Sequence, residues 1–324
     1  VGRNVENVPK VSVVLGGGGA KGFVHLGVLQ ELTARQYDIV AIYGTSIGAI
    51  IGALFAYHVR FHHGKYTRLE AQARAADSVA DLLLDTNFFR LADFNFSVFR
   101  RGYVSGRKMR RWLETQLLAP RSTDSIRFSH LKQRDDDVHD IDLNITVTDA
   151  MTGDSVVVNS STAPTTFVSA AVRASMSIQG IFLEENITVK EKTIKCWDGG
   201  VTGNCRFDLS HEKYPELLTI ASTVTYRGEA TLLPDSVLTS FVRPVLVLNR
   251  SADFWLRQIE NLTETLLGEK RMKNVVLIRP DLDGVSTLDF HISNERKRTL
   301  IANGRAAVAN MLNDRPVASA PQVP

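Results

Sequence analysis

Three short stretches of the chain carry residue types that could do chemistry. The first is Gly44-Thr45-Ser46-Ile47-Gly48. A short β-branched run, Ile39–Tyr43, precedes it, and a stretch rich in Ala, Ile and Leu follows. Gly-x-Ser-x-Gly between a strand and a helix is a nucleophile elbow, a sharp turn that thrusts the serine hydroxyl out of the backbone. Gly44 and Gly48 remove Cβ atoms that would crowd that turn. The following helix aims its positive N-terminus at a developing anion. The second stretch is Gly16-Gly17-Gly18-Gly19-Ala20-Lys21-Gly22, whose backbone N–H groups can converge on one point. The third is Asp198-Gly199-Gly200, an acid followed by two residues that allow a tight turn and a close approach. Together they suit attack of a serine oxygen on an acyl carbon, with the anion held by the glycine loop.

Each stretch also admits a plainer reading. From Ile39 to Tyr57 the chain is uncharged, and Gly44, Gly48 and Gly52 at spacing four mimic a helix-dimerisation face in a membrane span. The β-branched start of the segment and the lack of a basic flank favour a buried strand and helix instead. Gly17-x-Gly19-x-x-Gly22 formally matches a dinucleotide fingerprint, but Asp38 lies at the wrong end of the next strand to hold a ribose. The order Lys21-Gly22-Phe23 is not that of a P-loop. Asp-Gly-Gly alone is an ordinary turn. Of the eight histidines, none stands in a recognisable motif: His25 follows the glycine loop, His58, His62 and His63 follow the serine helix, and His130, His139, His211 and His291 are scattered.

The elements that must position these groups follow from pattern. Val11–Leu15 is an unbroken apolar run and reads as a buried strand. Phe23–Leu32 reads as a mostly buried helix, giving strand, glycine loop, helix, strand: a βαβ unit and hence a parallel sheet. Further strands are expected at 142–149, 155–159, 192–197, 219–224 and 274–279, and a helix at 245–267. The chain has 324 residues, 44% apolar and 23% charged, enough for a large core. A net charge of +3 does not argue for nucleic acid. Cys196 and Cys205 read as two free thiols. The polar first ten residues lack the apolar core of a secretory signal, so we expect a cytoplasmic or peripheral-membrane location.

The set GGGGAKG, GTSIG and a distant DGG resembles the patatin-like phospholipase family. HLGVLQEL, YVSGRKMRRWLETQL, RASMSIQGIF and DFHISNERKRTLIANGRAAVANML extend the resemblance over roughly residues 9 to 312. It implies an α/β, three-layer fold with a mainly parallel central sheet and helices on both faces. It implies a Ser46–Asp198 dyad, with Ser46 the nucleophile and Asp198 the base and then the acid. Gly17, Gly18 and Gly19 would hold the oxyanion. Lys21 would support the loop, and Gly44, Gly48, Gly199 and Gly200 the two turns. The substrate implied is a phospholipid acyl ester, with no metal or cofactor. Two places depart from the pattern: Gln179 stands where similar members carry proline, and they also carry one near Arg206, which bears on pocket shape rather than on the dyad.

One domain is expected over 1–315, with core motifs in 11–58 and 140–205 and a helical, lid-like or core-forming region at 60–127. The tail 316–324 reads as disordered. Arg100, Arg101, Arg107, Lys108, Arg110 and Arg111, interleaved with Tyr103 and Trp112, form a basic amphipathic stretch with Ser105 as its helix cap. It suits anionic phospholipid headgroups; a solvated helix face fits equally. The acid-rich Arg134–Asp142 lacks ordered metal-ligand spacing and reads as a solvated loop.

Overall fold

A computed structural model describes residues 8–63, 65–91, 93, 104–131, 140–179, 181–224, 272, 274–287, 289 and 291–313. Strand β1 (Lys10–Leu15) leads through the glycine loop and a short 3-10 turn into helix α1 (Phe23–Ala34), then β2 (Asp38–Gly44) and α2 (Ile47–Tyr57). Helices α3 (Arg68–Asp85), α4 (Phe88–Leu91), α5 (Arg107–Gln116) and α6 (Phe128–Leu131) follow. Then come β3 (Asp142–Asp149), β4 (Ser155–Val158), α7 (Val168–Ser175), β5 (Glu185–Val189), β6 (Lys192–Asp198), α8 (Gly200–Gly203) and α9 (Phe207–Lys213). Strands β7 (Leu218–Ser222) and β8 (Val275–Ile278) and helix α10 (Asn294–Asn313) complete the described elements. The expected helix at 245–267, most of the acid-rich segment, Arg100, Arg101, Tyr103 and the tail lie outside the described residues.

The eight strands form one sheet in the order β5-β6-β3-β2-β1-β7-β8, with β4 paired to β3. Strands β3, β2, β1, β7 and β8 run parallel, as the βαβ reading requires. The edge formed by β4, β6 and β5 is antiparallel. Side chains alternate between the two faces. Val11, Val13, Leu15, Ile39 and Ile42 join a core with α1, α2, α3 and α10. Val14, Ala41 and Tyr43 pack on the other face with Phe207 of α9. The expected α/β layering is therefore present, with the mainly parallel sheet closed by an antiparallel edge.

Helix α2 is buried along its whole length, which explains its uncharged sequence. Eleven residues span only about 16 Å, half of a bilayer core. Among the described residues no helix is long and apolar enough to cross a membrane. Gly48 serves close helix–strand packing: a Cβ there would lie 2.1 Å from the Leu15 carbonyl oxygen. Asp38, the failed ribose ligand, is held by Arg68 at 2.6 Å and Gln72 at 2.9 Å.

Candidate active site

Ser46 sits where β2 turns into α2, at φ 54° and ψ −116°. A non-glycine residue at positive φ is strained and persists only where its surroundings hold it. Here the hold is explicit. The Ser46 N–H donates to Ser175 Oγ at 2.9 Å, and the Ser175 hydroxyl donates to the Thr146 carbonyl at 2.7 Å. The turn is thus pinned through α7 to β3.

Asp198 ends β6, the strand antiparallel to β3, with Val147 as its register partner. Its Oδ1 accepts the Gly200 N–H at 2.7 Å. Thr148 donates to its carbonyl at 2.9 Å, and its N–H donates to the Ser177 carbonyl at 2.8 Å. The Ser46 hydroxyl lies near enough to favour the charged carboxylate. The other carboxylate oxygen, Oδ2, is buried and has no hydrogen-bond partner among the described residues. Burial pushes the Asp198 carboxyl up to about 6, against the Gly200 N–H, the Ser46 hydroxyl and the Arg173 charge, which pull it down. A carboxylate near 6 is a stronger base than one near 4, yet is still ionised at neutral pH.

The glycine loop is fixed from three sides. Gly16 N–H donates to the Ser222 carbonyl at 3.0 Å, and Ala20 N–H to the Thr287 carbonyl at 3.0 Å. Lys21 N–H closes the turn on the Gly18 carbonyl at 3.2 Å. Gly19 adopts φ +56°, and a Cβ there would lie 1.9 Å from Thr287 O. Gly17, an expected oxyanion donor, has its N–H on Asn204, at 3.0 Å from Oδ1 and 3.3 Å from the carbonyl. Asn204 Nδ2 in turn donates to the Gly17 carbonyl at 3.2 Å. The N–H groups of Gly18 and Gly19 have no acceptor among the described residues.

No described histidine hydrogen-bonds Ser46. His25 is buried beneath the loop, with Nε2 2.8 Å from the Gly16 carbonyl and Nδ1 2.9 Å from Ser222 Oγ. A carbonyl can only accept, so Nε2 carries the proton and Nδ1 accepts from the serine. Burial drives its pKa down to about 4, keeping the ring neutral, while the Gly16 bond opposes the shift. His58 and His62 stack at 4.7 Å on a π turn after α2. His291 lies against Phe89, ring centroids 3.8 Å apart and tilted by 34°. Cys196 is buried, and burial lifts its thiol to about 12, leaving it inert.

Ser46 and Gly19 open onto a pocket whose walls are apolar: Phe23, Ile47 and Ile50 on one side, Phe88, Leu91 and Met109 on another, with Met176, Ile178 and Phe182 closing it. Thr287, Asp289 and Ile292 border the glycine loop. The region 60–127 thus contributes pocket wall through α4 and α5. Helix α5 starts after Gly106, and Asp93 joins Ser105 in capping it: Asp93 accepts the Gly106 and Arg107 N–H groups at 2.7 and 3.0 Å, while Ser105 Oγ accepts the Arg107 N–H at 3.4 Å and donates to the same carboxylate. Of the two departures, Gln179 is exposed and outside the pocket lining. Arg206 pairs with Asp208 at 2.7 Å and donates to Ser155 at 2.6 Å, tying α9 to β4.

Ser175, Asn204 and His25 were not assigned roles from sequence. Ser175 lies in RASMS and Asn204 six residues beyond Asp198, inside stretches already singled out, but their partners are 129 and 187 residues away in the chain.

A family model described as patatin-like phospholipase matches residues 13–210, more than half of the chain. The chain belongs to the patatin-like phospholipase family. Among curated relatives of this family member, an uncharacterised NTE family protein of Mycobacterium tuberculosis is 52% identical over 48 residues, 15% of this chain and 13% of that protein. The human patatin-like phospholipase domain-containing protein 6 is 37% identical over 91 residues, 28% of this chain and 6% of that protein. The matches thus cover well under two thirds of these relatives' own length. Among solved structures, VipD from Legionella pneumophila aligns over 95% of this chain and 67% of its own, with a TM-score of 0.46 and 13% identity.

Proposed function

We propose that the protein hydrolyses fatty-acyl esters of phospholipids through Ser46 and Asp198. The observation that carries this reading is a serine held at positive φ, lining an apolar pocket and interacting with a buried carboxylate that keeps an uncommitted oxygen. Ser46 Oγ attacks the ester carbonyl carbon as Asp198 Oδ2 takes its proton. The Gly18 and Gly19 N–H groups receive the oxyanion. Asp198 then gives the proton to the departing lysolipid oxygen, leaving an acyl-serine. Water, deprotonated by the same carboxylate, then attacks the acyl carbon; the bond to Ser46 Oγ breaks, Asp198 returns the proton to that oxygen, and the fatty acid leaves. The apolar walls accept the acyl chain, which favours a lipid over a small soluble ester. The family's description supports the same substrate class.

The test is fatty-acid release from mixed phospholipid vesicles by wild type and Ser46→Ala, with a short soluble ester alongside. Loss of release by roughly 10⁴-fold in the variant is expected. Turnover of the soluble ester alone would move the substrate away from lipids, and turnover of neither by folded protein would overturn the hydrolase reading. His211→Gln and His291→Gln are expected to keep wild-type rates; a loss matching that of Asp198→Asn would replace the dyad by a triad.

A further inference from the structure

The sequence of α5 places two buried residues, Met109 and Leu113, on one side and Arg107, Lys108 and Arg111 on the opposite exposed arc. At 100° per residue these three cations fall within about a quarter to a third of a turn. None has an ion-pair partner among the described residues. The fourth cation of the helix is different: Arg110 is neutralised by Glu114 at 2.9 Å and by Glu185. The carboxylate nearest the helix start, Asp93, is consumed by the Ser105 hydroxyl and two backbone N–H groups. Glu114 borders this arc, about 20° from Arg107 on the wheel, but is engaged by Arg110; between Arg107 and Lys108 the only charges on the arc are positive among the described residues. The inner side of the same helix supplies Met109 to the pocket.

The neighbouring turn, α4, repeats this division. Phe88 faces inward, lining the pocket and meeting Trp112 of α5 edge-on at 6.2 Å. Phe89 is 39% exposed and Arg90 is exposed beside it. Leu118, just past the end of α5, is 36% exposed. Large apolar groups among unpaired cations are what a bilayer interface accommodates: the rings and alkyl groups enter the headgroup layer while the cations meet anionic lipid.

We propose that the outer face of α4 and α5 docks the protein on an anionic phospholipid bilayer, with the wall those helices form guiding an acyl chain toward Ser46. The fate of the lipid rests on the phospholipase reading; the docking rests on charge and exposure alone. A surface cation near an anionic leaflet contributes about fivefold to binding, so three contribute on the order of a hundredfold.

The experiment measures flotation of the Ser46→Ala protein, which leaves lipids intact, with phosphatidylcholine vesicles with and without phosphatidylserine. Binding is expected to require phosphatidylserine and to weaken as salt is raised. Arg107→Gln/Lys108→Gln/Arg111→Gln should lose on the order of a hundredfold in affinity. The control Lys190→Gln/Lys192→Gln/Lys195→Gln, an equal charge change on exposed residues of the β5–β6 hairpin, should lose little. Near-UV circular dichroism checks the fold; should the triple variant fail that check, Arg111→Gln alone, with an expected loss of about fivefold, carries the test. Equal loss in the control, or binding indifferent to phosphatidylserine, would overturn the proposal. So would salt-sensitive capture of single-stranded RNA by the same residues without vesicle binding. Vesicle binding without fatty-acid release by wild type would sink the phospholipase reading and leave the docking face standing.

Discussion

Asp198 is a carboxylate kept out of water beside a hydroxyl, and its raised pKa acts on activity and stability with opposite sign. In the proposed role of base it works only when ionised, so kcat/KM should fall about tenfold per pH unit below about 6 and level off above it. A pH–rate profile with a short ester measures this, and a profile that stays flat down to pH about 4 would remove Asp198 from the rate equation. Stability runs the other way. A carboxyl whose folded pKa exceeds its unfolded value near 4 binds more protons when folded, so its contribution declines as pH rises from about 4 through about 6. Asp198→Asn should therefore be more stable than wild type at neutral pH, by up to about 3 kcal/mol, with the gap closing below pH about 4 in urea melts. Residues of this kind were partly legible in the sequence. Ser46 and Asp198 sit in local patterns whose spacing reports the turn they make. Ser175 and Asn204 do not, because each acts by meeting backbone more than a hundred residues away. The Gly17 contact to Asn204 was not legible either, because a run of glycines does not say which N–H already has an acceptor.

At the level of elements, β1, α1, β2 and α2 were readable because each is short, buried and nearly pure in pattern. Strand β6 was found, but its direction was not, since apolar patterning is the same whichever way a strand runs. That direction delivers Asp198 to the level of Val147, one strand removed from β2 and its serine turn. Helix α10 was visible as a helix, yet not its partner. It crosses α1 with backbones nearly touching: a Cβ on Gly304 would lie 2.0 Å from the Val24 carbonyl oxygen. Gly304→Val should prise the two helices apart, at about 1–3 kcal/mol in denaturant unfolding. Because α1 starts at the glycine loop, the same variant should slow turnover of a short ester as well as lower stability. Unchanged stability would show that α10 yields without strain. Lys297 of α10 adds a second tie, with Nζ within 3.3 Å of the Leu83, Leu84 and Thr86 carbonyls at the end of α3.

For the whole molecule, the net charge of +3 is uninformative as a total and informative in its distribution. Three cations without an acid partner among the described residues share one arc of α5, while Arg110, Arg206 and Lys213 are matched by acids. The sequence showed the basic helix but not which of its cations were taken. It showed a crowd of large apolar residues between 60 and 127 without saying that Phe88, Leu91 and Met109 would wall a pocket. That pocket has two thioethers in it, Met109 and Met176. Peroxide would turn each into a polar, chiral sulfoxide on a surface otherwise made of hydrocarbon. Oxidised protein should then lose long-chain esters faster than short ones, and a methionine sulfoxide reductase should return the lost chain-length range. Met109→Leu/Met176→Leu should make turnover indifferent to peroxide; if the double variant is inactivated as readily as wild type, the damage lies elsewhere. A pocket built with sulfur in its walls would register the oxidants the protein has met.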